Sequence, residues 1–311
     1  MTQHDEDRAI LASGLARDEI ADLLRNAEPR RMANLASSIN LTGGVFLAML
    51  GHQLERESFS WLWLIVACIV SGMVWKLSNR LWRDIALASV AQAIGERWGQ
   101  NYFASGWGAV DIEKWIADLF SNEGKRFTAW KSEGKHRDID YRLNESTIWR
   151  RVHGKKRSEI IHLIQVEVAV PRSFSGSVEV VPKSGFSSAI DDVFRKMTGD
   201  DVRRQPIEPG FDAVFDTMVS SNAAADKLVT ASFRDAMLKL ASRSPKTYLS
   251  GRFEHGWFNL RLPIPEVVFA SASLLKPMDQ LLDDVDTLWW DLTIAHRLID
   301  SLMGDYHGPL R

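Results

Sequence analysis

The chain has one cysteine, Cys68, among 311 residues. A single thiol excludes a disulfide framework and a cysteine-ligated metal site, and it suits a reducing compartment. Charge imbalance is also lacking. Thirty-eight Lys and Arg face forty Asp and Glu, for a formal net charge of −2. That balance argues against a general nucleic-acid binder. The eight histidines are His4, His52, His136, His153, His162, His255, His296 and His307. No two stand four apart, and no HExxH occurs, so a helical zinc site is excluded. Phosphate loop, dinucleotide fingerprint and nucleophile elbow are absent as well. Nothing in the chain names a reaction, and no catalytic, cofactor or metal residue is assigned.

Charge is missing most conspicuously from two stretches near the N-terminus. Met32 to Leu54 carries none, and neither does Ser58 to Trp75. A helix rises about 1.5 Å per residue, so the second stretch reaches roughly 27 Å and the first more. A bilayer core is about 30 Å thick. The second stretch is apolar on every face and has Trp61 and Trp63 at one end and Trp75 at the other. That pattern fits a membrane span with aromatic belts. The first is diluted by Asn34, Ser37, Ser38, Asn40, Thr42, Gly43 and Gly44. Gly44 and Ala48, four apart, would let the two helices approach closely.

Arg25, Arg30 and Arg31 precede the pair and Lys76, Arg80 and Arg83 follow it, whereas the connecting loop has Arg56 between two glutamates. The positive-inside rule then puts both termini in the cytoplasm. The expected organisation is a cytoplasmic amphipathic helical arm (residues 1–31, ended by Pro29), a transmembrane helical hairpin (32–79) and a cytoplasmic domain (80–311). The acidic N-terminal residues do not fit a cleaved signal peptide. The expected location is a bacterial inner membrane, crossed twice, with membrane lipids as partners of the hairpin.

Beyond the hairpin, helical spacing continues through Ile85, Ala88, Ala91, Ile94 and Trp98, and a further helix is expected at Val110 to Phe120. The period then changes. Phe127 with Trp130, Ile139 with Tyr141, and Ile148 with Val152 read as short strands between turns at Glu123-Gly124, Glu133-Gly134 and His153-Gly154. Ile160 to Val170 and Val178 to Val181 extend this into an antiparallel meander. Helices are expected at Ala189 to Met197 and Ala223 to Ala241. Strands follow at Thr247 to Phe253, Trp257 to Leu262 and Val267 to Ala270, the first two joined at His255-Gly256. One long helix after Pro277 closes the chain. The order reads as an α+β domain with a mainly antiparallel sheet and packed helices.

Three features invite a functional reading. A rival to a binding module is a membrane-bound enzyme working on a lipid or envelope precursor, for which a polar pocket containing His162, Glu167 or Asp191 would be needed. The adjacent pairs Asp191-Asp192 and Asp283-Asp284 point about 100° apart on a helix and read as surface or capping acids. The stretch Lys125 to Arg157 holds eleven basic residues against four acidic ones. Its cluster Arg150, Arg151, Lys155, Lys156 and Arg157 would suit anionic lipid. Finally, Leu281, Val285, Leu288, Leu292, Ala295, Ile299 and Leu302 form a stripe of period 3.5 in the last helix. The sheet or a second copy of the chain could bury it, and Trp289 beside the stripe favours the sheet.

The run Ile207-Glu208-Pro209-Gly210-Phe211-Asp212-Ala213-Val214-Phe215 carries an aromatic pair four apart. Ala223 to Ala225, Leu228 to Thr230 and Phe233 follow. These residues resemble the central signature of a bacterial two-span membrane protein family, domain of unknown function 3137. Met218 stands where that signature has an aromatic, and Lys227 where it has an arginine. The resemblance implies two spans before the domain, then a closing strand pair and a terminal helix. It brings no catalytic residue. The function that follows is a membrane-anchored, cytoplasmic-facing interaction or scaffold module for an unidentified protein partner, with no nucleic acid.

Overall fold

The computed structural model describes residues 15–54, 61–97, 100–105, 125–151, 158–183, 202–220, 225–243, 249–267, 269, 271–308 and 310. Its helices are α1 (Leu15–Leu54), α2 (Trp61–Arg97), α3 (Pro209–Asp212), α4 (Ala225–Leu228), α5 (Ala231–Arg243), α6 (Leu282–Leu292) and α7 (Ile294–Met303). The strands are β1 (Gln100–Ser105), β2 (Lys125–His136), β3 (Ile139–Arg151), β4 (Ser158–Ala169), β5 (Val178–Pro182), β6 (Val202–Arg204), β7 (Phe215–Ser220), β8 (Ser250–Glu254) and β9 (Trp257–Ile264). The chain divides into two compact units. One comprises Ala9–Ala91 with Phe269–Thr287, and the other Gln92–Val268 with Leu288–Arg311 and Met1–Arg8.

The first unit is built on α1 and α2. Each has a stretch long and apolar enough to cross a membrane, and little of either stretch is buried within the chain. Leu47, Leu62, Ile65, Ile69, Met73 and Leu77 are all exposed. The helices meet through small residues, with Ser38 and Ala67 buried and the Ser71 hydroxyl donating to the Thr42 carbonyl at 3.4 Å. Gly44 and Ala48 are exposed, and open space lies around Gly44. The contact the helices make is at Ser71 and Thr42 rather than at Gly44 and Ala48. Pro29 lies inside α1, so the helix does not end there.

A strap from the C-terminal part of the chain completes this unit. The 3₁₀ turn Met278–Leu281 packs on α1. Asn79 accepts the Leu274 backbone N–H at 2.7 Å, and the Arg31 guanidinium donates to the Leu274 carbonyl. Glu28 accepts from the Met278 N–H at 3.0 Å and from Arg31 Nε at 2.9 Å. Arg31 is only 5% exposed. A charged group that deep needs a partner, and here a carboxylate and a peptide carbonyl both serve.

The second unit is a nine-stranded sheet in the order β1-β2-β3-β4-β9-β8-β5-β7-β6, with every described pairing antiparallel. Period-two alternation puts one apolar row across most of it. Tyr141 lies beside Val168, then Phe258, Phe253, Val178 and Val219. The next row runs Leu143, Val166, Leu260, Gly251, Val180 and Thr217. These residues are buried. Helices α5 and α7 pack against one another, and α7 also packs on β3 and β4. Phe233 of α5 meets Phe253 and Phe258 edge-on, at 5.5 and 5.2 Å.

The antiparallel α+β class agrees with the sequence reading, but several boundaries differ. Glu133-Gly134 is strand, paired with Arg142 and Tyr141. The β2–β3 turn is Arg137-Asp138, both at positive φ. Aspartate tolerates that region better than arginine does, so no Gly or Asn marked the site. The meander stops at β4, because the β8–β9 hairpin inserts between β4 and β5. His255-Gly256 is the expected two-residue turn, also at positive φ. Strands β1 and β6 join the sheet although no period-two pattern marks them, and Met218 lies in β7. The helix expected over Ala223–Ala241 is split into α4 and α5, and the terminal helix is split at Thr293. The described part of Val267–Ala270 is not strand; Phe269 sits in a turn. The helices expected at Val110–Phe120 and Ala189–Met197 lie outside the described residues. Every residue of the heptad stripe, from Leu281 to Leu302, is buried within one chain.

Gly251 is needed where the aromatic row passes over β8. A Cβ there would lie 2.8 Å from Phe258 Cζ, and that ring is itself held by Phe233 and Phe253. Gly251→Ala should destabilise the protein by about 1–3 kcal/mol. Gly210→Ala, where the added methyl meets nothing within 4 Å, should change stability by less than about 0.5 kcal/mol. Denaturant unfolding of the two variants in mild detergent compares them directly.

Candidate functional site

The residues proposed for an enzyme pocket do not converge. His162 and Glu167 lie on β4 five positions apart, so their side chains leave opposite faces of the sheet. His162 sits in the core-face register between Thr147 and Ile264, and its Nδ1 is 3.0 Å from the Thr147 hydroxyl. Burial lowers its pKa, while the Glu266 charge pulls weakly the other way. Glu167 lies on the polar face, 3.2 Å from the Gln165 amide and 3.9 Å from the Arg142 guanidinium. Arg142 also stacks over Trp257 at 5.0 Å. Asp191 and Asp192 lie outside the described residues. Asp284 caps the strap, accepting from Ser271 and pairing with Lys276 at 3.6 Å. Among the described residues no group of three or more His, Cys, Asp or Glu could hold a metal.

A different polar cluster is assembled where the β2–β3 turn meets α7. Strand β2 ends on His136, β3 contributes Tyr141, and α7 contributes His296 and Asp300 one turn apart. His136 Nε2 lies 3.0 Å from Asp300 Oδ1. Arg137 Nε lies 3.1 Å from the same oxygen, and its Nη1 donates to Asp305. The imidazoles of His136 and His296 stack face to face, with centroids 4.3 Å apart and planes 8° from parallel. Tyr141 Oη is 3.3 Å from His296 Nε2. His136, His296, Tyr141 and Asp300 are all buried. Burial pushes the Tyr141 phenol well above its ordinary pKa, and the hydrogen bond to Asp305, aided by the Asp300 charge, raises that of Arg137.

Sequence reasoning missed this cluster because its paired members are 155 to 168 residues apart in the chain and none carries a motif. The one local signal was the Arg-Asp dipeptide at the end of a strand. The arrangement explains why arginine occupies a φ of 51°. Its guanidinium is tied to two carboxylates, which offsets the backbone cost. The chemistry is that of a fastener. Each charged or imidazole group is engaged by a neighbour from another element, and the Arg137–Asp305 pair is the part that reaches solvent.

Two further buried polar sites act the same way. The Trp130 indole N–H donates to Glu145 Oε2 at 2.6 Å beneath Phe103, beside the bulge between Thr128 and Trp130. Arg297, fully buried, donates to Leu310 O at 2.9 Å, to Thr293 Oγ1 at 2.8 Å and to the Trp290 carbonyl, and stacks on the Trp290 ring at 4.2 Å. It thereby holds the break at Thr293 and the C-terminal residues together.

Of the basic cluster, Arg150 and Arg151 end strand β3, in register with Glu159 and Ser158. Lys155, Lys156 and Arg157 lie outside the described residues.

No family model and no curated protein matches the chain. Among solved structures, a mycobacterial protein, the trehalose monomycolate transport factor A, TtfA, aligns at 11% identity. The alignment covers 67% of this chain and 94% of that one, with a TM-score of 0.31. Similarity that low carries no argument about fold or function.

Removing Asp300 would leave Arg137 and His136 facing a buried gap. Arg137 keeps Asp305 as a partner, so Asp300→Ala should cost about 1–3 kcal/mol of stability. His136→Ala should cost less in that background than in the parent, and a double-mutant cycle on unfolding free energies reads the coupling. His162 supplies a pH dependence. Its pKa is lower folded than unfolded, so the neutral imidazole stabilises the fold above the ordinary value of about 6.5. That contribution is lost as the pH falls through the folded-state pKa. His162→Gln should flatten the decline in stability between about pH 7 and 5. An unchanged slope would assign the decline to other groups.

Proposed function

We propose that the chain is a two-span protein of a bacterial inner membrane whose α+β domain faces the cytoplasm and works as an anchored interaction or scaffold module. The observation that carries this reading is the apolar surface of α1 and α2. Leu62, at the start of α2, is 67% exposed, and Ile65, Ile69, Met73 and Leu77 continue the exposed apolar face. Lipid would cover that surface, whereas in water it would be an aggregation hazard. The cationic residues flanking the pair favour cytoplasmic termini.

The strap supports the same boundaries. Arg31 and Asn79, which stand at the two ends of the proposed hairpin (32–79), both bond the Leu274 backbone. Polar side chains committed to a peptide group belong just outside the hydrocarbon rather than within it. The module reading is further supported by the fate of His162 and Glu167, which face opposite sides of the sheet. Membership of the family with domain of unknown function 3137 is part of this proposal. Its aromatic pair is Phe211 and Phe215, stacked at 5.0 Å between α3 and β7. The proposed partners are membrane lipid along the hairpin, anionic headgroups at the basic cluster, and a protein still to be identified.

Alkaline phosphatase and green fluorescent protein fused after Gln53, after Arg83 and at Arg311 test the topology. The account expects phosphatase activity only from the Gln53 fusion and fluorescence from the other two. The chain should also stay in the pellet after alkaline carbonate washing. Extraction into the supernatant, or phosphatase activity at Arg311, would overturn the reading.

A further inference from the structure

We propose that the strap on α1 and α2 is itself a membrane contact, with Leu275 seated in the interfacial layer of the leaflet where the two helices begin and end their crossing. The inference rests on the two-span reading above and adds a third contact, from the C-terminal part of the chain. Two anchors fix the strap. Leu274 is held through its backbone, its N–H donating to Asn79 at 2.7 Å and its carbonyl accepting from Arg31. Met278 is held through its N–H, which donates to Glu28 at 3.0 Å. The side chains of both anchors are fully buried. Between them Leu275 is 68% exposed, the same as Leu47 in the apolar stretch of α1.

A lone exposed leucine on a water-facing surface needs no explanation. This one has a fixed depth. Arg31 opens the first apolar stretch and Asn79 closes the second, and a hairpin returns to the side from which it started, so both mark one leaflet. Consecutive Cα atoms are about 3.8 Å apart, which puts Leu275 one step from the residue that bonds both helices. Met32, next to Arg31, is 51% exposed, and Leu77, two residues before Asn79, is 58% exposed. Leu275 therefore extends the exposed apolar surface of the helices at the level where that surface ends. From Ser271 to Leu275 the strap carries no charge. Lys276, which follows, is bonded to Ser271 at 2.8 Å and paired with Asp284 at 3.6 Å. An uncharged apolar segment beside the ends of two spans suits the boundary between headgroups and acyl chains, whatever the headgroup charge. The helices already hold the strap at the bilayer, so one leucine needs no recruitment of its own. A protein covering Leu275 would have to displace headgroups beside both spans.

The test uses the full chain in phosphatidylcholine nanodiscs, with Cys68→Ser and a single nitroxide label. The label is introduced through Leu275→Cys or, in the middle of α2, through Ile69→Cys, where the native side chain is 52% exposed. Paramagnetic resonance reads its collisions with dissolved oxygen, which concentrates in lipid, and with a nickel chelate, which stays in water. At position 275 the ratio of oxygen to nickel collisions should be at least about threefold above that of the same label on a soluble peptide, as interfacial depth requires. A water-like ratio at 275 with a lipid-like ratio at 69 would overturn the inference and leave the anchor reading standing. A label at 275 screened from both reagents would also overturn it, since a second copy or another protein would then cover the site. A water-like ratio at 69 would overturn the anchor reading, and this inference with it.

Discussion

The constraint on which the rest depends is that the outward surfaces of α1 and α2 have no cover among the described residues. A run of Leu, Ile and Met side chains on α2 stands open from Leu62 to Leu77. Apolar area left in water costs about 25 cal/mol per Å², so a surface of this extent has to be matched by lipid or by protein. Small residues at the helix contact then follow. Between two spans in lipid there would be no hydrophobic drive, and hydroxyl-to-carbonyl bonding would take its place. The bond from the Ser71 hydroxyl to the Thr42 carbonyl is such a contact.

Buried polar groups appear where elements distant in sequence must be held in one arrangement. The Leu274 peptide groups are held by Asn79 and Arg31, from different helices. Asp300 gathers His136 and Arg137 onto α7, and Arg297 gathers the Thr293 break and Leu310. Such groups add little net stability when satisfied but are costly when one partner is lost. They therefore select one packing among several that the apolar rows alone would tolerate. In the apolar rows the selection is steric, as where Phe258 leaves room for nothing larger than glycine at position 251.

Local pattern made some of this legible in the sequence. The apolar helices, the strand Ile160–Val170, the His255-Gly256 turn and the terminal stripe all rest on spacing within about ten residues. The errors came from sites where a long-range contact overrode local chemistry. Gly134 reads as a turn but pairs with Tyr141, because the chain reverses at Arg137, whose strained backbone is offset by Asp300 and Asp305. Pro29 reads as a stop but is accommodated within α1, near the Glu28–Arg31 anchor on the strap. The polar clusters were invisible because their members belong to strands and helices far apart in the chain. Charged residues such as Arg297 read as surface until the groups that surround them are known.

Cys68 gives the most direct test of the central claim. It is exposed, lies near the middle of the apolar part of α2, and is the one thiol in the chain. Intact membranes carrying the protein are treated with a water-soluble, membrane-impermeant maleimide, before and after dissolution in dodecyl sulfate. If lipid covers α2, Cys68 stays unlabelled in the membranes and reacts fully once they are dissolved. Labelling in intact membranes at the rate of a free aqueous thiol would contradict the account.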